Sequence, residues 1–307
     1  MIKNKHETKI NFKPVTLSDK ELYESYLFRE EERGCEFSFA NLYLWGEQNF
    51  SHLSGGIALL SRFGQRVVYP YPLGCENLRE ALDAIIADSE ARGIPCHITG
   101  LSASAREVLE ELYPDKFRFY ADEGSFDYVY SIDDLADLTG KKYQAKRNHL
   151  NRFRDAFPNY TVEPIDENNV DAVKKLADEW YDERLSEDPS ADYRMERSAL
   201  EGALRDYRKL GMVGLALMSE GEVLAFTFAS RMANDTFDVH FEKARSQIQG
   251  AYAAINRELA RYIREKYPSV KYLDREEDMG LPGLRKSKLS YHPCRMVKKY
   301  RAYLRTE

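Results

Sequence analysis

The chain has only four cysteines in 307 residues, at positions 35, 75, 96 and 294. None stands in a Cys-x-x-Cys pair, which argues against a zinc ribbon and a disulfide-stapled secreted scaffold and fits a reducing compartment. No apolar run approaches the ~18 residues that a membrane-crossing helix needs. The opening MIKNKHETK lacks the apolar stretch of a secretory signal. No Pro/Gly-rich linker or low-complexity tract interrupts the sequence, so two halves packed without a long tether are expected. These absences lead to an expected location in the cytoplasm, either free or peripheral to the inner face of the membrane.

Hydrophobic residues make up 43% of the chain and charged residues 31%, enough apolar material for ordinary cores. The length predicts two domains of about 150 residues each. The net charge of −6 hides an asymmetry. Six Lys/Arg and no acid lie between Lys141 and Arg154, and eight more, again without an acid, between Arg285 and Arg305. Of the 45 basic residues these runs hold 14, so the remainder sets 31 bases against 51 acids, or −20. An acidic body with two basic stretches points to a localised anion site rather than a DNA-coating surface. The structural alternative is two solvated helix faces.

Periodicity and turn signals predict an extended segment over 10–16, a helix opened by Ser18-x-x-Glu21, and another helix over 37–50. A hairpin over 57–62 and 66–71 follows, then helix 77–92, strand 96–101, helix 103–113 and strand 126–131. A basic helix over 141–157 joins the halves. The second half repeats the grammar with strand 160–165, helices 170–185 and 195–210, strands 213–218, 223–230 and 236–243, helix 251–267 and strand 270–274. Tyr252, Ile255, Leu259, Tyr262 and Ile263 fall on one stripe of that last helix, at core-facing spacing. The expected fold is α/β (α+β): a duplicated mixed sheet flanked by helices, with domains at 1–140 and 159–307 and a connecting helix at 141–158.

Three segments carry chemistry. On the strand 236–243, Asp238, His240 and Glu242 alternate onto one face, where a polar group must reach solvent or be paired. His240 there is an acid–base candidate or part of a hydrogen-bonded structural network. The junction 241–252 runs from a strand through Gly250 into a helix, aiming backbone N–H groups at one point where an anion binds well. A small residue that lets a helix approach a sheet gives the same pattern. The densest constellation is 273–293, where four carboxylates at a strand end precede a Gly/Pro-punctuated loop and a basic Ser/Tyr/His stretch. Its acids suit a cationic amine, and Lys286 or Lys288 suits a carboxylate, phosphate or oxyanion. A surface salt-bridge network is the alternative. Cys294 and His292 stand two apart and need not face each other, so no nucleophile–base pair is assigned.

The order of elements and the 241–252 junction resemble the GNAT acetyltransferase fold, whose coenzyme A loop would sit there. Gln247 and Gly250 fit that loop's pattern, while Tyr252 replaces its last small residue. A sharper resemblance rests on Lys142-x3-Lys146-Arg147-Asn148-His149, His240-Phe241-Glu242-Lys243-Ala244, Gly250-Ala251-Tyr252, and the run from Asp278-Met279-Gly280 through Lys286, Lys288 and Tyr291. Over residues 10–305 these look like the C-terminal domain of bacterial phosphatidylglycerol lysyltransferases and their soluble relatives, with the Fem peptidyl ligases as distant kin. The resemblance implies two tandem GNAT-like domains, no coenzyme A, and transfer of an aminoacyl group from aminoacyl-tRNA to an anionic lipid headgroup or other small acceptor; no cofactor and no metal are expected. Unlike the lipid-modifying enzymes, this sequence contains no multi-spanning membrane portion.

The expected roles follow from joining these readings. Lys288, with Lys286 as its alternative, is assigned an oxyanion. Glu242 or Asp278 takes an α-ammonium, and His240, Gly250 and Tyr291 line the site. Lys146 and Arg147 meet an RNA backbone or anionic headgroup. Two rivals stand beside this aminoacyltransferase reading: an acetyl-coenzyme A N-acetyltransferase acting on a small amine, and a non-catalytic module that binds an anionic ligand.

Overall fold

A computed structural model describes residues 9–30 and 33–305. The chain divides into two compact units, one of residues 1–127 with 297–307 and the other of residues 128–296.

In the first unit the chain runs β1 (Lys13–Pro14), α1 (Lys20–Leu27), α2 (Phe39–Leu44), β2 (Glu47–Leu53), β3 (Gly56–Phe63), β4 (Arg66–Pro70), α3 (Leu78–Arg92), β5 (His97–Leu101), α4 (Ala103–Leu112) and β6 (Phe117–Ala121). The capping box lies at Thr16 and Asp19 rather than at Ser18 and Glu21. Thr16 N donates to the Asp19 carboxylate at 2.7 Å and opens a 3-10 turn that leads into α1. The expected helix over 37–50 stops at Leu44. Gly46, at φ 68°, turns the chain into β2, which pairs with β3 from Glu47↔Arg62 to Leu53↔Gly56. The seven backbone pairs of that ladder override a helical pattern. Phe37, Phe39, Leu59, Tyr69 and Ile85 are buried in this unit's core.

The second unit continues with β7 (Asp127–Ser131), α5 (Ile132–Asp137), α6 (Gln144–Ala156), β8 (Thr161–Pro164), α7 (Val170–Glu187), α8 (Arg194–Leu210), β9 (Val213–Ser219), β10 (Glu222–Arg231), β11 (Thr236–Ala244), α9 (Ala251–Lys266), β12 (Tyr272–Asp274), α10 (Pro282–Leu289) and β13 (Arg295–Val297). Its core gathers Tyr130, Phe153, Leu215, Phe237, Ile255 and Leu259. Ile255, Leu259 and Ile263 of the α9 stripe are fully buried, whereas Tyr252 is 37% exposed and its hydroxyl accepts from Trp180 Nε1 at 3.0 Å. Lys243 on β11 is buried, with its charge met by Glu196 at 2.5 Å and its ammonium 3.5 Å from the Trp180 ring centroid. That contact ties α7 and α8 to the sheet.

Among the described residues each sheet has seven strands, in the orders β1-β2-β3-β4-β5-β14-β6 and β13-β7-β12-β11-β10-β9-β8, where β14 is Tyr300–Leu304. In the first, parallel β4 and β5 are followed by antiparallel β14. In the second, parallel β11 and β12 are followed by antiparallel β7. The first sheet is therefore completed by a strand that returns from beyond the second unit's run of sequence, whereas β7 lies at the start of the second unit's own run. The units divide between Asp127 and Tyr128. The basic helix α6 is part of the second unit, and the C-terminal strand completes the first. The returning strand β14 leaves no composition shift to read, because it has an ordinary strand sequence.

Candidate functional site

The second unit's site is built around the end of β12, where Asp274 gives way to a loop. Glu276 and Met279 adopt positive φ, at 57° and 53°, so the chain reverses sharply twice within four residues. Lys288 on α10 braces this turn. Its ammonium donates to the carbonyl oxygens of Arg275 and, at 2.9 Å, of Glu276, and only 8% of the residue is exposed. Lys286, two residues earlier, lies on the exposed side of the same helix. The structure thus separates the two lysines treated as alternatives: Lys288 is buried under the turn and Lys286 faces solvent.

Arg275 was not singled out from sequence, and it proves central. Its guanidinium donates to Glu242 Oε1 at 2.9 Å and lies 4.9 Å from the Tyr291 ring centroid. Burial, the largest single influence, works against its charge, but Glu242 together with the Tyr130 and Tyr291 phenols more than offsets it and holds its pKa above the ordinary arginine value. Asn256 of α9 donates to the other Glu242 oxygen at 3.3 Å. Lys146 approaches the same place from α6, with its ammonium 3.6 Å from the Tyr291 ring centroid. Burial and the neighbouring Arg275 lower the Lys146 pKa to about 8, against the pull of Glu242. Burial pushes the Tyr291 phenol up to about 12, so it stays neutral. Glu242, Arg275, Lys146 and Tyr291 therefore form one cluster with two cations, one carboxylate and a phenol.

A second cluster adjoins it through the chain. His240 is the extra residue of a β-bulge on β11, because Phe228 pairs with Phe241 while Ala229 pairs with Val239. Its Nε2 is 2.7 Å from Ser230 Oγ, and its Nδ1 is 3.4 Å from Asp238 and 3.5 Å from Glu276.

The remaining candidates have structural work. Asp278 accepts from the Tyr128 hydroxyl at 2.5 Å, from Gly280 N at 2.8 Å and from Arg285 Nε at 2.7 Å. Burial would raise its pKa, but these bonds win and hold it down to about 2. Its carboxylate fixes the loop into α10. Arg147 donates to the carbonyls of Leu138 and Gly140 at 2.5 and 2.7 Å, closing the turn after α5. Gly250, at φ 88°, stands where a Cβ would lie 2.1 Å from the His149 carbonyl oxygen, so the glycine permits the contact between α6 and α9. Much of the basic charge is also used internally. Lys142 pairs with Asp134 at 3.1 Å, and Lys299 pairs with Asp127 at 2.8 Å within the first unit.

A duplicated mixed sheet flanked by helices, with charged groups gathered at a strand end, defines the tandem GNAT-like fold. Over residues 28–303 the sequence matches the family described as phosphatidylglycerol lysyltransferase, C-terminal, and the chain belongs to that family. A conserved protein of unknown function from Bacteroides thetaiotaomicron VPI-5482 has a similar structure, with TM-score 0.90 and 37% identity over 96% of this chain and 100% of that one. L-PGS from Bacillus licheniformis aligns with TM-score 0.68 and 17% identity over 94% and 93% of the two chains. At the level of fold alone, FemX matches with TM-score 0.60 and 12% identity over 96% and 98%. A tandem GNAT protein from the clavulanic acid biosynthesis pathway does so with TM-score 0.52 and 9% identity over 97% and 99%. An uncharacterised protein of Mycoplasmoides gallisepticum is 29% identical over 180 residues, so the match spans 58% of this chain and about half (56%) of that relative. Among the described residues no helix is long and apolar enough to cross a membrane.

Proposed function

We propose that the chain transfers an aminoacyl group from aminoacyl-tRNA to an anionic lipid headgroup or another small acceptor, at the inner face of the membrane or in the cytoplasm. Membership of the family supports the class of reaction, and the buried cations around the end of β12 support the site. An aminoacyl ester is already activated. The acceptor's hydroxyl or amine attacks the ester carbonyl carbon and forms a new C–O or C–N bond. The bond to the ribose oxygen breaks, and the proton lost by the acceptor ends on that oxygen. The enzyme must position the reactants and neutralise the tetrahedral oxyanion.

Lys288 is assigned the oxyanion. Its charge sits among buried groups, where screening is weaker than at exposed Lys286. Glu242 is assigned the α-ammonium of the aminoacyl group, and Lys146 with Tyr291 an anionic part of donor or acceptor. Asp278, Arg147 and Gly250 serve the reaction through the frame they hold. The observation that carries this reading is the Lys288 brace on residues 275 and 276, which holds a buried cation against the backbone of Arg275, whose side chain pairs with Glu242. The test is to incubate the pure protein with a mixture of charged tRNAs and cell lipids and to search for new aminoacyl adducts by mass spectrometry. Retained binding of charged tRNA with no adduct would favour a binding module. A thermal shift with acetyl-coenzyme A would favour the N-acetyltransferase.

A further inference from the structure

We propose that Asp238, His240 and Glu276 form a binding site for a single divalent transition-metal ion of the zinc type. The ligand atoms, Asp238 Oδ2, His240 Nδ1 and Glu276 Oε1, all lie within 4.8 Å of one another. Two of the separations are informative. His240 Nδ1 is 3.4 Å from Asp238 Oδ2 and 3.5 Å from Glu276 Oε1. Both exceed the ~2.7–3.2 Å of an N–H···O hydrogen bond. Zinc bonds of about 2.0–2.2 Å to nitrogen and oxygen, arranged tetrahedrally, put neighbouring ligand atoms about 3.3–3.5 Å apart. These two spacings match those of ligands around a common centre.

The surroundings fit as well. The His240 and Asp238 side chains are fully buried, and Glu276, 22% exposed, is the ligand nearest solvent. The other imidazole nitrogen meets Ser230 Oγ at 2.7 Å, the outer contact that orients a metal-bound histidine and leaves Nδ1 to the ion. One imidazole and two carboxylates suit a borderline divalent ion, and three protein ligands leave a fourth position for water. The first unit provides a contrast. Cys35, Glu36 and Asp127 have similar mutual spacing, but the Lys299 ammonium lies 2.8 Å from Asp127 and 3.1 Å from Glu36, so a built-in cation takes the place of an ion.

The full-length protein, stripped with chelator, is titrated with Zn2+ by calorimetry and with Co2+ by visible spectroscopy. One equivalent is expected to bind. Cobalt is expected to give tetrahedral d–d bands without thiolate charge transfer, which sets this site apart from the cysteines. Glu276→Gln, on the solvent side, should abolish the bands, and Ser230→Ala should weaken binding about 10–100-fold. Circular dichroism on both variants confirms that they are folded. No stoichiometric binding, a thiolate spectrum, or full binding by Glu276→Gln would each overturn the proposal. None of these readouts depends on transfer activity, so this site and the transferase reading fail separately.

Discussion

Arg275 and Glu276, consecutive in the chain, send their side chains to two different residues of one strand: Arg275 donates to Glu242 at 2.9 Å, and Glu276 lies 3.5 Å from His240. Lys288 holds both of their backbone carbonyls. A one-residue change in this turn would misalign both clusters, so the geometry of the loop and the charge of the site are one property.

The Arg275–Glu242 pair is largely buried, with side chains 13% and 10% exposed. Removing one partner strands the other charge. Arg275→Met is expected to lower stability by about 3–5 kcal/mol, read from urea unfolding. A loss below about 1 kcal/mol would mean that water reaches Glu242 freely.

Lys146 carries a depressed pKa of about 8. Between that value and the ~10.4 of an unfolded lysine, the folded chain binds fewer protons, so this group's contribution to stability rises with pH across the window. Its cation is lost over the same range. Binding of anionic vesicles is therefore expected to fall as pH rises through 8. Lys146→Arg, which stays charged, should remove that inflection. An inflection that survives in the variant would assign the titration to another group.

The two neighbours Lys146 and Arg147 should separate cleanly. Lys146→Ala is expected to flatten the salt dependence of tRNA binding by about one contact's slope, roughly 0.7–0.9 in log–log terms. Arg147→Ala removes donors from two turn carbonyls and should cost about 1–3 kcal/mol of stability instead. Equal effects of both variants on the salt slope would return Arg147 to the binding surface.

Gly250→Ala places a methyl group against the His149 carbonyl at a backbone angle that side chains rarely adopt. A loss of at least about 1–3 kcal/mol is expected, read from thermal melting. Wild-type melting with weakened anion binding would instead support a direct ligand role for this junction.

Most of the fold was legible because the second half's strands and helices carry strong periodicity. The hairpin β9–β10, strand β11 and the buried α9 residues Ile255, Leu259 and Ile263 all follow the pattern read from sequence. The strands β7 and β14 did not announce their partners, since pairing across 140 or more residues leaves no local signal. Glu242, Lys146, Tyr291 and Lys288 stood out by residue type, and the structure brings them to one region. Arg275 was hidden in a run of acids, where it read as surface charge. Asp278 looked like a ligand group because sequence cannot show that Tyr128, 150 residues away, already donates to it.

Lys288 is proposed to stabilise developing negative charge during aminoacyl transfer. This role is tested most directly by single-turnover transfer from charged tRNA to lipid acceptor with wild type and Lys288→Met, at a temperature where melting shows both folded. Loss of one such donor typically costs about 10²–10³ in rate, and a fall of that size is the predicted result. Transfer at the wild-type rate by the folded variant would contradict it.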